Sequence, residues 1–189
     1  GNADCAYLIG THYQTGNHIE QNNDKAYKYI SMAAEKGHHE ACLELARMYR
    51  YGIGTERNPA LAFEYYNKAA EHLVDGIAEL GQCYTYGIGT NKNDVKAVEL
   101  YKIAAEHGSA QAQLDLGVCY RQGEGIERNI PLAMEWYQKA IEQGHTGAML
   151  NMGILYDNAI GVDRNDSKAF EYYKMSAEGG NADGQFCLA

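Results

Sequence analysis

A tyrosine returns along this chain at positions 13, 49, 84, 120 and 156, in steps of 36, 35, 36 and 36 residues. Each stands in the same longer phrase. Leu45-Ala46-Arg47-Met48-Tyr49 leads to Gly52-Ile53-Gly54, then to Asn58, Ala62, Tyr65-Tyr66 and Ala69-Ala70. The series recurs from Leu80-Gly81 to Ala104-Ala105, from Leu116-Gly117 to Ala140 and from Met152-Gly153 to Ala177, with a more worn copy from Ile9-Gly10 to Ala34. A period of this size marks an array of small stacked units in place of one closed globule. Such arrays display surfaces and seldom enclose a reaction centre.

Each unit reads as two helices. In helix A, Ala41, Leu45 and Tyr49 recur at four-residue spacing and share a face. Ala46, glycine in the other copies, lies beside them and lets a partner helix come close. Helix B opens on an asparagine in every copy: Asn22, Asn58, Asn93, Asn129 and Asn165. Asparagine is a strong N-cap, because its side-chain oxygen takes an orphan backbone N–H. Pro59 follows at a position that needs no donor. The stripe Ala62, Tyr65/Tyr66, Ala69/Ala70 then steps by three and four residues. Short loops make neighbouring helices antiparallel. The expected fold is therefore all-α, an array of about five helix-turn-helix repeats of 35–36 residues plus a partial sixth. Its units run 1–37, 38–73, 74–108, 109–144 and 145–180, with 181–189 opening the sixth. Tyr120 and Trp136 are expected to be largely buried between helices. Three departures stand out: His18 replaces the second loop glycine in the first copy, Ala159 replaces the first in the fifth, and Glu71-His72-Leu73 lacks the inter-unit glycine. The last, one residue short, predicts a locally altered helix end or rotation there.

The formal charge of −9 argues against a nucleic-acid or anionic-membrane binder. No apolar run approaches the ~20 residues that span a bilayer, so no direct membrane insertion is expected. Gly1-Asn2-Ala3-Asp4 matches Gly180-Asn181-Ala182-Asp183, so the chain reads as a piece of something longer. Phe186 and Leu188, left on a helix A without its partner, point to possible end-to-end self-association. Cys5, Cys42, Cys83, Cys119 and Cys187 follow the repeat and form no Cys-x-x-Cys. Free thiols in a reducing, cytoplasmic compartment are the expectation.

These residues resemble the Sel-one-like repeat (SLR) family, a subset of the tetratricopeptide-like solenoids. Ala112, Leu116, Gly117, Tyr120, Gly123, Gly125, Asn129, Ala133, Trp136, Tyr137 and Ala140 carry the resemblance, and it extends over the whole chain. The resemblance implies a right-handed superhelical solenoid whose A helices line a concave face, and a role as an adaptor between proteins. One secreted branch, rich in paired cysteines, has been linked to small-molecule binding and weak hydrolysis. This chain lacks the pairs that mark that branch. A passive spacer array within a larger multidomain protein is a third reading.

Catalytic sets are missing from the sequence. The Gly-x-Gly elements lack the Lys-Ser/Thr of a phosphate loop, and no cofactor or metal motif appears. Histidines near the junctions (His38, His39, His72, His107, His145) are read as helix-end residues that complement the dipole. The ladder Glu35, Glu71, Glu106, Glu142, Glu178 is read as a solvated face. What remains is the other face of helix A, where Leu43 leads into Arg47 and Arg50. The candidate protein-binding residues are Arg47, Arg50, Tyr51, Gln82, Tyr86, Leu114, Val118, Arg121, Leu150 and Ile154. Solvent-facing arginines there would favour an acidic partner segment. The competing reading has the apolar members packing the next unit.

Overall fold

A computed structural model describes residues 2–17 and 19–187. His18 and Leu188 thus lie outside the described residues, and so do Gly1 and Ala189. The described residues form helices and no strand: α1 (Ala3–Thr15), α2 (Asn23–Ala34), α3 (His39–Tyr51), α4 (Pro59–Ala70), α5 (Val74–Tyr86), α6 (Asp94–Glu106), α7 (Ala110–Gln122), α8 (Ile130–Glu142), α9 (Thr146–Asp157), α10 (Asp166–Glu178) and α11 (Ala182–Cys187). Odd-numbered helices are the A helices of the repeat, even-numbered ones the B helices. No described helix is long and apolar enough to cross a membrane. The helices group into two compact units, one ending at Leu100 and the other beginning at Tyr101.

In the first unit α1 packs on α2 and α3 on α4, while α2 meets α3 and α4 meets α5. Its core joins Ile30 and Ala33 of α2, Leu45, Ala46 and Met48 of α3, Tyr66 and Ala69 of α4, and Leu80 and Cys83 of α5. In the second unit α7 packs on α8 and α9 on α10. Ala133, Tyr137 and Ala140 of α8 meet Ala148, Met152 and Leu155 of α9. No helix covers its own apolar stripe, so each core closes only when the next helix is in place.

The asparagine caps form as their chemistry requires. Asn22, Asn58, Asn93, Asn129 and Asn165 accept from the N–H groups of Lys25, Leu61, Lys96, Leu132 and Lys168 at 2.9, 3.1, 3.0, 3.0 and 2.9 Å. Each cap satisfies one orphan donor of the first turn.

The buried aromatics differ from expectation. Tyr120 and Trp136 are only half-buried. The deeply buried ring is the second of the B-helix pair: Tyr66, Tyr101, Tyr137 and Tyr173. Small residues on helix A explain this. A Cβ on Gly117 would lie 2.5 Å from Tyr137 Cε1, and one on Gly153 would lie 2.6 Å from Tyr173 Cε1. The missing methyl is the seat of the ring. The first aromatic instead stacks at the rim on the A-helix tyrosine, with Tyr49–Tyr65 and Tyr156–Tyr172 centroids 5.9 Å apart. Trp136 carries the Lys139 ammonium 3.8 Å above its ring.

The structure explains two sequence departures, one in an inner loop and one in a link between units. Gly52, Gly87 and Gly123 stop their helices at φ of 72°, 67° and 78°. Ala159 fills the same place in the fifth copy and takes φ 53°, a left-handed backbone costing an L-residue about 1–2 kcal/mol. Gly54 has a further role, because a Cβ there would run into the Asn23 carbonyl of the preceding repeat. In the short link, Leu73 occupies the N-cap place of α5 and makes no side-chain cap. The altered helix end is thus an uncapped one.

Candidate functional site

In the first unit the A-helix face is a hydrogen-bonded ladder of alternating charge. Arg47 points off α3 four residues after Leu43, and Arg50 one turn further on. Leu43 itself is 7% exposed and belongs to the core, not to this face. Gln14 of α1 donates to Glu44 at 3.1 Å, and Arg47 donates to the other Glu44 oxygen at 2.7 Å. Arg47 reaches across to Glu79 of α5 through Nε and a terminal nitrogen, both at 3.1 Å. Arg50 donates to the second Glu79 oxygen at 2.8 Å and to Gln82 Oε1 at 3.2 Å. One polar strip therefore links three successive A helices.

This arrangement revises the expected character of the arginines. The Arg50 side chain is 12% exposed and that of Arg47 is 36% exposed. Both guanidinium charges are matched by the Glu44 and Glu79 carboxylates, which raise the already high basicity of Arg47. Arg50 also lies beside the buried Tyr66 hydroxyl without reaching hydrogen-bond geometry; burial pushes that phenol up and the cation opposes the shift. Reversing these charges would break the fold's own contacts. Glu44 and Glu79 escaped the sequence reading, although Glu79 repeats Glu44 at the 35-residue step and Glu44 precedes Arg47 by three positions.

Tyr51 and Tyr86 end α3 and α5 at one register position. They are 62% and 69% exposed. Arg50 Cζ sits 5.2 Å from the Tyr51 centroid and steadies one face of that ring. Most of each ring is left to solvent.

In the second unit the A-helix face is less open. Leu114 and Val118 of α7 are half-buried against the cluster that Met152 and Leu155 of α9 help to form. Packing between repeats thus accounts for much of their apolar character. Leu150 and Ile154 are half-buried on α9. Arg121 Nε donates to the Tyr137 hydroxyl at 3.3 Å, and Asp157, at the same register, accepts from Tyr173 at 3.2 Å. Burial and the Asp157 carboxylate push the Tyr173 phenol up to about 12.

Other reactive groups are scattered. Among the described residues no three His, Cys, Asp or Glu side chains are placed to hold a metal. Cys42, Cys83 and Cys119 are buried free thiols, and Cys5 and Cys187 are exposed ones. Burial pushes Cys83 up to about 12, which keeps it protonated and unreactive. The glutamate ladder is exposed throughout. His107 sits at a helix C-terminus as expected, with Nδ1 2.8 Å from the Ile103 carbonyl. His38 and His145 instead occupy N-cap positions, of α3 and α9. His38 Nδ1 accepts from Ala41 N–H at 3.2 Å. His145 Nδ1 is buried and unpartnered, and burial lowers the pKa of the ring.

The Sel1 repeat pattern matches residues 3–38, 39–72, 74–109, 110–145 and 146–181. The crystal structure of a Sel1 repeat protein from Oxalobacter formigenes superposes with a TM-score of 0.91 at 34% identity, covering 99% of this chain and 75% of that one. A protective antigen of uropathogenic Escherichia coli with an SLR fold gives a TM-score of 0.85 at 33% identity, over 100% of this chain and 40% of that one. A Schizosaccharomyces pombe protein named "Putative ERAD-associated E3 ubiquitin-protein ligase component" is 35% identical over 65 residues, 34% of this chain and 9% of its own length. The chain thus spans under a tenth of that curated relative. The repeat period, the capped helix pairs and these matches agree: this chain belongs to the Sel1 repeat family.

Proposed function

We propose that the chain is a non-catalytic adaptor that holds a segment of another protein on the exposed face of its A helices. Sel1 repeat proteins are generally protein-interaction scaffolds. The observation that carries the finer reading is the pair Tyr51 and Tyr86, large aromatics left open at one register on consecutive A helices. Tyrosine supplies rigid contact area at low entropic cost, and exposed aromatics of this kind are enriched at interfaces. The ladder behind them holds its side chains in place, so little ordering remains to oppose binding. The second unit has an A-helix face of its own, with Arg121, Leu150 and Ile154 half-buried and Leu114 and Val118 offering only their open edges.

Site-specific photocrosslinking tests this. A benzoylphenylalanine at Tyr86 or Ile154 should capture a discrete protein partner, and the same group at Glu35 or Glu142, at the C-terminal ends of α2 and α8, should not. Equal capture from the B-helix sites would reject the A-helix face.

A further inference from the structure

We infer that a cavity lined by α2, α3 and α4 of the first unit binds a free, low-molecular-weight guanidinium compound. It encloses about 470 Å³, within the range of small-molecule sites. The site goes beyond the A-helix reading above and does not depend on it.

The charge of the lining calls for a cation. Glu35 and Glu71 cap the C-terminal ends of α2 and α4, and Lys68 stands one turn before the end of α4. Lys68 donates to Glu64 at 2.7 Å, so its charge is already matched. Among the described residues, neither the Glu35 nor the Glu71 side chain has an ion pair or a hydrogen bond. Cys42 in the wall stays a neutral thiol, because burial pushes it up. Two unmatched carboxylates therefore set the local charge. Both stand where the helix dipole favours a cation over an anion. Helix stability does not explain their placement, and a bound cation would relieve both ends at once.

The rings of the lining call for a flat cation. His39 of α3 and His72, in the turn after α4, lie face to face, with centroids 3.7 Å apart and planes 30° from parallel. Neither imidazole has a hydrogen bond among the described residues. Tyr65 already holds the Lys68 ammonium 4.4 Å from its ring centroid, so this wall accepts positive charge. A guanidinium is planar, stacks on ring faces and offers donors in a rigid fork. It can extend the imidazole stack with its face while its edge serves a carboxylate in bidentate fashion. An ammonium has the charge without the face.

A metal ion fits less well, since among the described residues no three His, Cys, Asp or Glu side chains converge on one point. The repeat register makes the site single. The places of His39 and His72 hold Ala3 and Lys36 in the first copy, Val74 and His107 in the third, Ala110 and Gln143 in the fourth, and Thr146 and Gly179 in the fifth. The glutamates recur along the chain, but the imidazole pair that would seat a flat cation beside them occurs in one repeat.

The test is an NMR titration of the intact chain with N-acetyl-arginine methylamide at pH 8, read at the histidine Hε1 signals. His39→Gln and His72→Gln assign the two signals of interest. Both should shift saturably while those of His107 and His145 stay put. The lysine analogue and the uncharged citrulline analogue should each bind about tenfold more weakly. Glu35→Gln and Glu71→Gln should each weaken binding about tenfold without lowering the melting temperature. No saturable shift, equal binding of the lysine analogue, or unchanged binding by both glutamine variants overturns the proposal. Capture of a discrete protein by crosslinking from Glu35 overturns it too, because the cavity would then receive a partner's side chain in place of a free ligand.

Discussion

Arg50 of α3 and Glu79 of α5, 29 residues apart in sequence, meet at 2.8 Å across the junction of two repeats. The pair is largely withdrawn from water, with side chains 12% and 19% exposed. It ties one repeat to the next where an exposed arginine was expected. Removing one partner leaves the other charge half-buried and unmatched, which is costlier than losing the contact alone. Arg50→Glu should destabilise the chain by roughly 2–4 kcal/mol in urea denaturation. A double-mutant cycle of Arg50→Ala with Glu79→Ala should return a coupling of about 1–2 kcal/mol. A coupling near zero would make the ladder a surface decoration.

The two tyrosines of the fourth repeat should separate cleanly. Tyr137 is fully buried on the Gly117 seat, so Tyr137→Ala should cost about 3–5 kcal/mol, the range for large aromatic truncations. Tyr120→Ala, at a half-buried rim position, should cost clearly less. Gly117→Ala should also destabilise, since its methyl would strike the Tyr137 ring. Equal losses at Tyr120 and Tyr137, measured by chemical denaturation, would contradict this division.

Ala159 holds a φ of 53° at a place where the other loops use glycine. Ala159→Gly relieves ~1–2 kcal/mol of backbone strain and adds ~0.5–1 kcal/mol of unfolded-state entropy, so a small net gain is expected. The converse change, Gly52→Ala at φ 72°, should be a loss. The check is a pair of melting curves moving in opposite directions.

His145 gives the fold a pH dependence. Burial lowers its pKa, so the folded chain binds this proton less readily than the unfolded chain. The stability held by the neutral ring is complete above the ordinary imidazole value of about 6.5 and is lost as pH falls below it. His145→Asn removes the titration and supplies the side-chain cap that α9 lacks. The variant should be more stable at pH 7.5 by roughly 0.5–1 kcal/mol, with a larger margin at pH 5.5. A margin that shrinks on acidification would show that the ring is stabilised by its proton.

Many of these features were legible in the sequence because they are local. A capping asparagine acts within one turn, a glycine stop acts at its own φ, and an apolar stripe repeats at the helical period. These set the helix boundaries, the B-helix caps at Asn22 through Asn165 and the repeat length. The A-helix face was legible only as a set of positions. Its register placed Arg47, Arg50, Tyr51, Gln82 and Tyr86 together, and the structure shows that Arg47 and Arg50 are matched by Glu44 and Glu79.

What the tertiary structure alone decided is which groups meet between repeats. Sequence spacing says that Tyr65 and Tyr66 share a helix, but only packing against the neighbouring A helix makes Tyr66 the core ring and leaves Tyr65 stacked on Tyr49. Likewise Arg50 and Glu79 belong to different units, and a charge's partner depends on the distance and burial that stacking creates. The period is a property of the chain, written in local propensities. Neutralisation, burial and the open faces of Tyr51 and Tyr86 are properties of contacts distant in sequence, from Arg121–Tyr137, 16 residues apart, to Arg47–Glu79, 32 apart, which exist only once the helices pack.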